Sequence, residues 1–391
     1  MGKLPLLALL SLAACQTTSH FDIPDAANAA TPMRIATFNT SMFSETSGGL
    51  IAKLESGSQE ARKIAAVIQY QRPDLILLNE FDFDDAGRAA DLFQQKYLEV
   101  GQFGQLSIHY PYRYLAPVNT GVPSGLDIDL NGIIGGTGRD AGNDAWGYGL
   151  HPGQYGMLVL SKYPIDVAKA RSFQHLLWKD LPNASAPRDP KTGLAWYPPG
   201  TWTKLRLSSK SHWDLPVNTP LGRIHFLVSH PTPPVFDGPE DRNGARNHDE
   251  IRFWSEYLDT GEKAWLCDDQ GHCGGLPGDA HFVIAGDLNS DPIDGDSRHQ
   301  AIVDLLEQPR MLRLSAPRSE GAALDLQKGR NLLGSPAEHT ASFRLRVDYV
   351  LPSSDLPVVG NGVFWPAPGQ PGSEWLDATD HRMVWVVLGK Q

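Results

Sequence analysis

Short apolar runs, most of them ending at a polar side chain, dominate the chain after residue 32. Continuous apolar runs of this length, bounded by turn-forming residues, predict buried β-strands. We expect strands at 33–39, 74–79, 157–161, 223–229, 281–285, 346–351 and 383–388. Apolar residues recur at helical spacing over 58–71, 247–258 and 298–308. Strands that outnumber the helices and are apolar on both faces predict sheets packed on each other and covered by helices, an α/β or α+β layered domain.

The N-terminus has the pattern of an export signal. One basic residue precedes an apolar run, and small residues come directly before Cys15. The run is too short to cross a bilayer of about 30 Å. Leu12-Ala13-Ala14-Cys15 resembles the bacterial lipobox, which implies cleavage before Cys15 and acylation of its thiol. The alternative is an ordinary apolar N-terminus with a chance cysteine.

These patterns divide the chain into a signal peptide at 1–14, a small, polar tether at 15–32 and one domain at 33–391. Because Gln16 rather than Asp follows the cysteine, retention at an inner membrane is not indicated. We therefore expect the lipid to anchor the protein to a bacterial outer membrane, on the periplasmic or surface side. We also expect the protein to be a monomer.

Composition narrows the function classes. The 38 glycines and 30 prolines among 391 residues predict a globular chain rich in loops rather than a disordered one. The net charge is −11, and no run of three Lys or Arg residues occurs. That argues against binding long DNA by bulk electrostatics. Phosphoester hydrolysis is not excluded, because a bound divalent cation can supply local positive charge.

Cys267 and Cys273 remain as an even pair after Cys15 is set aside. In an oxidising compartment we expect a disulfide that closes this short loop and contributes about 2 kcal/mol. The alternative is a metal site with His272, which needs two more ligands and a shorter cysteine spacing than this one.

Side chains that bind metal ions or phosphate stand at the ends of most predicted strands. Strand ends are where a rigid sheet can aim side chains into one cleft. Taken singly, an Asp at a strand end is usually a turn former. As a set they are hard to explain as turns: Asn39, Glu80, His230, Asp287, Asn289, Asp348, Asp380 and His381.

These residues belong to motifs in a fixed order. They are Thr37-Phe-Asn39, Leu78-Asn-Glu80, Tyr155-Gly-Met-Leu-Val-Leu-Ser-Lys-Tyr-Pro-Ile165, Val228-Ser-His230, Gly286-Asp-Leu-Asn289, Arg346-Val-Asp348 and Asp380-His381. From about residue 34 to 388 the chain resembles the endonuclease/exonuclease/phosphatase family, with the deoxyribonuclease I-like fold. That resemblance implies a four-layer αββα sandwich, two mixed β-sheets packed face to face and flanked by helices. It also implies divalent-metal-dependent hydrolysis of a phosphoester.

The resemblance also implies metal ligands. Glu80 and Asp380 would bind the metal, Asn39 would help to hold the metal or its water, and Asp287 would contribute beside them. Magnesium or manganese fits such an all-oxygen site better than zinc.

For the reaction itself, the resemblance implies that Asp287 orients or deprotonates the attacking water. Asn289 would hold the scissile phosphate. His381, oriented by Asp348, would contact the phosphate and manage the proton. His230 would contact the phosphate or the leaving group.

Two Arg-Asn pairs follow His230, at Arg242-Asn243 and Arg246-Asn247. Their spacing places them on one face if the segment is helical. Paired guanidinium groups suit a terminal phosphate, so Arg242, Arg246 and Asn247 are candidate substrate-binding residues. The alternative is a helix N-terminus with surface salt bridges and Asn247 as its cap.

A Gly/Asp-rich insertion at 119–154 contains Asp127-Ile-Asp129-Leu-Asn131-Gly132, the first half of a calcium loop. Gly138 stands where the bidentate acid is expected, and Asp140 or Asp144 would have to bend back to replace it. Structural calcium and a plain Asx turn remain the two interpretations.

The combined prediction is an exported, lipid-anchored hydrolase that cleaves phosphoester bonds in small organic phosphates or nucleotides with magnesium or manganese. The first alternative is a secreted nuclease acting on DNA or RNA. The second is a non-catalytic binding lipoprotein on the same fold.

Overall fold

The computed structural model describes residues 1–2, 32–325 and 332–389. Cys15 and the predicted signal cleavage site lie outside the described residues, as does nearly all of the predicted tether. Among the described residues, no helix is both long and apolar enough to cross a membrane.

The described residues form eleven β-strands. In chain order they are β1 (Met33–Met42), β2 (Leu75–Phe81), β3 (Tyr112–Tyr114), β4 (Met157–Ser161), β5 (Arg171–Ser172), β6 (His212–Thr219), β7 (Gly222–Ser229), β8 (His281–Asp287), β9 (Asp348–Pro352), β10 (Val358–Val363) and β11 (Val384–Leu388). A six-stranded sheet has the order β10-β11-β1-β2-β4-β3, and a five-stranded sheet has the order β5-β6-β7-β8-β9. Each sheet is mixed, with one parallel pair, β1/β2 in the first and β7/β8 in the second.

Helices connect and cover the strands. The α-helices in the described residues are α1 (Gly49–Ser56), α2 (Gln59–Gln71), α3 (Arg88–Phe93), α4 (Arg139–Asn143), α5 (Pro199–Trp202), α6 (Arg242–Leu258), α7 (Gln300–Glu307) and α8 (Glu320–Leu324). Ser58 caps α2, because its side chain accepts a hydrogen bond from the Ala61 amide. Alanine and β-branched residues then alternate with polar ones at helical spacing, which buries one face of α2 on the first sheet.

Three apolar layers hold the sandwich together. On β2, Leu75 and Leu77 point into a central core that they share with Phe226 and Val283 of the second sheet. The alternate residues of β2 point to the opposite face, where α1, α2 and α3 pack. On the second sheet, α6 and α7 cover the outer face. The strands are therefore apolar on both sides, and the predicted four-layer αββα sandwich is confirmed.

The two sheets meet at one edge, where the carboxyl ends of their parallel pairs lie side by side. Asn79 of β2 bridges them, because its Oδ1 accepts the amide of Asp287 at 3.2 Å and its Nδ2 donates to the Ser229 carbonyl at 3.4 Å. At Gly286, an added Cβ would lie 2.2 Å from the Ser229 carbonyl oxygen. Only glycine allows β7 and β8 to approach this closely, so this edge is where strand-end side chains converge.

Candidate active site

Asp287, the last residue of β8, is the centre of the convergent groups. Its Oδ2 accepts a hydrogen bond from Asn39 Nδ2 at 3.0 Å, and its Oδ1 accepts the Asn289 amide at 2.9 Å. His230 Nε2 lies 3.4 Å and His381 Nε2 lies 3.6 Å from Oδ2. Burial opposes ionisation, but the two imidazoles and Asn39 outweigh it and hold the pKa of Asp287 well below its usual range.

His381 is held by a buried carboxylate on its far side. Its Nδ1 lies 2.9 Å from Asp348 Oδ2, and Thr340 Oγ1 donates to the same carboxylate at 2.7 Å. Burial opposes protonation of the ring, but Asp348 and Asp287 overcome this and raise its pKa to about 10. Burial raises the pKa of Asp348 to about 6. The pair therefore fixes the orientation of the ring and directs Nε2 toward Asp287.

His230 and Asn289 complete this side of the site. His230 follows β7 and is buried, yet neither ring nitrogen makes a hydrogen bond among the described residues. The contact with Asp287 at 3.4 Å is an ion-pair distance without hydrogen-bond alignment. Burial, with Lys210 nearby, lowers the pKa of His230. Asn289 donates from Nδ2 to the Pro231 carbonyl at 3.1 Å, which ties the two loops together.

The predicted metal ligands are only partly gathered. The ligand atoms of Asp287, Asp348 and His381 lie within 4.8 Å of one another, and no group of three that includes Glu80 or Asp380 occurs in the described part of the chain. Asp380 is more than half exposed, with Oδ1 3.9 Å from His381 Nε2. Asn39 is joined to Asp287. Glu80 lines the adjoining cavity together with His230.

Several non-glycine residues around this edge have left-handed backbones. They are Ser41, Glu80, Tyr155 and Asn289, with φ between 48° and 56°. Such conformations cost energy for residues with a Cβ and persist where the surroundings enforce them. At Glu80 and Asn289 the turn re-aims a side chain at the end of a strand, which is consistent with a functional site.

A cavity of about 420 Å³ opens beside Glu80 and His230. Its walls carry the aromatic side chains Tyr148, Tyr155, Trp178, Tyr197 and Phe236. Five cationic side chains also line it: Arg139, Arg206, Lys210, Arg242 and Arg246. This volume lies within the range of small-molecule sites, about 300–1,000 Å³.

Lys210 is a site residue that the sequence does not reveal. It is 5% exposed and lines the cavity. Burial lowers its pKa, while Glu250, Glu80 and Asp287 act in the opposite direction. The residue belongs to no motif, and it lies just before β6, which pairs with the strand that leads to His230. Its burial depends on tertiary packing that the sequence pattern does not report.

The family model for endonucleases, exonucleases and phosphatases matches residues 36–381. The chain belongs to the endonuclease/exonuclease/phosphatase family. Members of this family act as hydrolases on phosphoester bonds and use divalent metals. The comparison with curated proteins found no match.

Solved structures share the fold. An endonuclease/exonuclease/phosphatase from Beutenbergia cavernae is 19% identical with a TM-score of 0.51, and the match covers 92% of this chain and 71% of that one. Sphingomyelinase C from Streptomyces griseocarneus is 17% identical with a TM-score of 0.44, covering 92% and 100%. A beta toxin mutant from Staphylococcus aureus with bound magnesium ions is 13% identical with a TM-score of 0.43, covering 92% and 100%.

In this family member, helix α6 begins at Arg242, so both predicted arginines are helical and line the cavity. Arg242 pairs with Glu240. Asn247 is neither a cap nor a lining residue. Asp241 occupies the N-cap position without a capping side-chain hydrogen bond, and the buried Asn247 amide donates to the carbonyls of Thr232 at 2.8 Å and Leu288 at 3.0 Å. It ties α6 to the loops that carry His230 and Asn289.

The predicted calcium loop closes through Asp144, not Asp140. Ligand atoms of Asp127, Asp129 and Asp144 lie within 4.8 Å of one another. Backbone amides already donate to these carboxylates, including Ile128 to Asp144 at 2.7 Å and Gly132 to Asp127 at 2.9 Å. The side-chain oxygen of Asn131 accepts the amide of Ile133 at 2.7 Å. The loop is thus built of Asx-type turns, and calcium binding there stays a prediction.

Cys267 and Cys273 are joined by a disulfide. His272, the third member of the alternative metal site, is largely exposed, with Nδ1 3.5 Å from Asp268 Oδ2. The bonded loop lies against Arg171, whose side chain donates to the Gly274 carbonyl at 2.8 Å and to the Asp268 carboxylate at 2.8 Å.

Proposed function

We propose that this protein hydrolyses phosphoester bonds in small organic phosphates or nucleotides with magnesium or manganese. The observation that carries the proposal is the buried row Asp348–His381–Asp287, which adjoins an aromatic and cationic cavity through His230. A positioned carboxylate, an oriented imidazole and an enclosed anion-attracting space are the parts that phosphoester hydrolysis needs.

The residues present fit a hard divalent cation. Glu80 offers a carboxylate that has no hydrogen bond or ion pair among the described residues, held at a strained backbone position that faces the cavity. Asn39 and Asp287, which are hydrogen-bonded to each other, and the half-exposed Asp380 would supply the other oxygen donors. All-oxygen sets suit magnesium or manganese. A cation held there would act as a Lewis acid on the phosphoester oxygen.

The remaining chemistry belongs to the side chains. Asp287 has a low pKa, so it is ionised and can orient a water molecule through its carboxylate oxygens. His381 is charged and can stabilise the negative oxygens of the phosphoryl group through Nε2–H, while Asp348 holds the other nitrogen. His230 has unpaired ring nitrogens facing the cavity, and it is suited to the leaving-group oxygen.

The charge distribution supports small substrates over duplex DNA. The chain carries a net charge of −11, and a long duplex would meet this acidic surface. The cationic side chains instead surround a cavity of about 420 Å³, which suits a compact molecule.

A substrate panel tests the proposal. It contains bis(p-nitrophenyl) phosphate, a phosphomonoester, nucleotides, and single- and double-stranded DNA, each with magnesium, manganese or chelator. We expect metal-dependent release from the small esters. His381→Gln should lower turnover by about 10²-fold or more. The matched control is His281→Gln, because His281 forms a similar pair with Asp355 at 2.7 Å but is exposed and distant from the site.

Two results would overturn the proposal. Cleavage of DNA without hydrolysis of small esters would favour the nuclease. No hydrolysis of any substrate in the panel with either metal would favour a binding protein on the same fold.

A further inference from the structure

Positive charge is concentrated in one cavity of an acidic protein. The five cationic side chains of the cavity wall face a single lining carboxylate, that of Glu80, among the described residues. Arg242 is neutralised by its ion pair with Glu240. Within the part of the chain that the structure describes, the other four cations form no ion pair within 4.0 Å.

Lys210 is the clearest case. Its side chain is 5% exposed, and the structure as described gives its ammonium no hydrogen bond and no carboxylate within 4.0 Å. Its backbone carbonyl accepts the Asn119 amide at 3.0 Å. A buried charge without a partner is costly. An ammonium directed into a cavity is stabilised if an anion enters.

The neighbouring arginines add to the same field. Arg246 donates to the backbone carbonyls of Leu207 at 2.9 Å, Trp146 at 2.7 Å and Ser208 at 3.0 Å, so its charge has only neutral partners. The charge of Glu250 acts on Arg246, but the two form no ion pair within 4.0 Å in the described structure, because both carboxylate oxygens of Glu250 accept amides, those of Ser209 and Thr232, at 2.6 Å each.

Arg206 adds a further cation to the cavity wall. Its guanidinium donates to the Asn119 side-chain oxygen at 2.6 Å and lies 4.8 Å from the ring centre of Trp146. Both contacts hold its plane in position without neutralising it. The cavity therefore holds several cations in addition to His230 and Glu80, the residues that a scissile phosphate would meet.

We propose that this cavity binds a second anionic group of the substrate, so that the preferred substrates are compact phosphoesters with two anionic groups. Lys210 and Arg206 are the binding residues, and aromatic walls such as Tyr197 contact the carbon skeleton between the two groups. This inference rests on the proposed function, because the first anionic group is the phosphoester that is hydrolysed.

A binding measurement in chelator tests the subsite separately from catalysis. The probes are methylenediphosphonate and inorganic phosphate, titrated into the full-length protein by calorimetry. We expect the diphosphonate to bind at least about tenfold more tightly, and Lys210→Met and Arg206→Met each to weaken it by at least about tenfold. Lys169→Met is the control, because Lys169 is exposed and remote from the cavity.

Folding does not obscure this result. Lys210→Met breaks no ion pair within 4.0 Å among the described residues, and Arg206→Met provides a second, less buried site. Chemical denaturation of each variant shows whether it is folded before binding is measured. Equal affinity for the two probes would overturn the proposal. Unchanged diphosphonate binding in both variants would also overturn it.

Kinetics with magnesium separate the second group from the scissile one. We expect Lys210→Met to raise KM for a nucleoside 3′,5′-bisphosphate or a hexose bisphosphate about tenfold more than for bis(p-nitrophenyl) phosphate. An equal rise in KM for both kinds of substrate would assign Lys210 to the scissile phosphate and overturn the proposal. Comparing the nucleoside bisphosphate with the hexose bisphosphate shows which of these two classes of bis-anionic ester the cavity prefers. If wild-type protein hydrolyses none of them, the proposed function fails and the binding measurement alone decides the subsite.

Discussion

Among single residues, Asp348 determines what His381 can do. Its carboxylate, which also accepts the Thr340 hydroxyl, lies 2.9 Å from Nδ1. The hydrogen bond orients the ring and the negative charge keeps the ring protonated, since the pKa of His381 is raised to about 10. A neutral amide at the same position would keep the shape and lose the charge. It would therefore separate the electrostatic role from packing.

We expect Asp348→Asn to lower kcat by about 10²-fold or more. The pKa of His381 should fall, so the variant ring loses its proton at a lower pH than the wild-type ring as the pH rises. Turnover and an NMR titration of the ring in chelator measure both effects. Asp355→Asn is the matched control, because it alters the exposed pair with His281. A ring pKa that is the same in Asp348→Asn and wild type would contradict this account.

Among the secondary-structure elements, the close contact of β7 and β8 sets the position of Asp287 relative to His230. Gly286 is required there because a Cβ would lie 2.2 Å from the Ser229 carbonyl oxygen. We expect Gly286→Ala to lower the free energy of unfolding by about 1–3 kcal/mol and to reduce turnover by separating the two strand ends. Chemical denaturation and kcat measure this. Gly200→Ala is the control, since a Cβ added at Gly200 would meet nothing within 4 Å, and equal behaviour of the two variants would contradict the prediction.

The strands that bear the site were predictable, because their cores are continuous apolar runs such as Leu75–Leu78. Strand β6 was not predicted. His212, Asp214 and Pro216 interrupt its pattern, and their burial depends on pairing with β7. Lys210, just before β6, was missed for the same reason. Asn247 was predicted to bind substrate from its spacing, but its role in packing depends on two loops that the spacing does not report.

For the whole molecule, we expect the predicted membrane anchor to be separable from the chemistry. The lipobox-like segment lies outside the described residues, and the first residue of the candidate active site along the chain is Asn39. We expect Cys15→Ser to abolish incorporation of a lipid label and to leave turnover per molecule unchanged. Labelling with a palmitate analogue, followed by fractionation and assay, measures both. Unlabelled wild-type protein would contradict the lipobox prediction.

Acidic residues offer a divalent cation two places, one at Glu80 in the cavity and one in the insertion. A ligand that binds only the folded state stabilises it, by about 2.7 kcal/mol at a concentration one hundred times Kd. We expect magnesium to raise the free energy of unfolding, and Glu80→Gln to remove most of that increase because it removes a carboxylate that has no other partner among the described residues. The second cluster, Asp127 with Asp129 and Asp144, provides the control variant Asp127→Asn. This variant should keep the magnesium effect.

Chemical denaturation with magnesium or chelator measures the difference in the free energy of unfolding without any assay of activity. Loss of the magnesium effect in Asp127→Asn alone would place the metal in the insertion and contradict its placement in the active site.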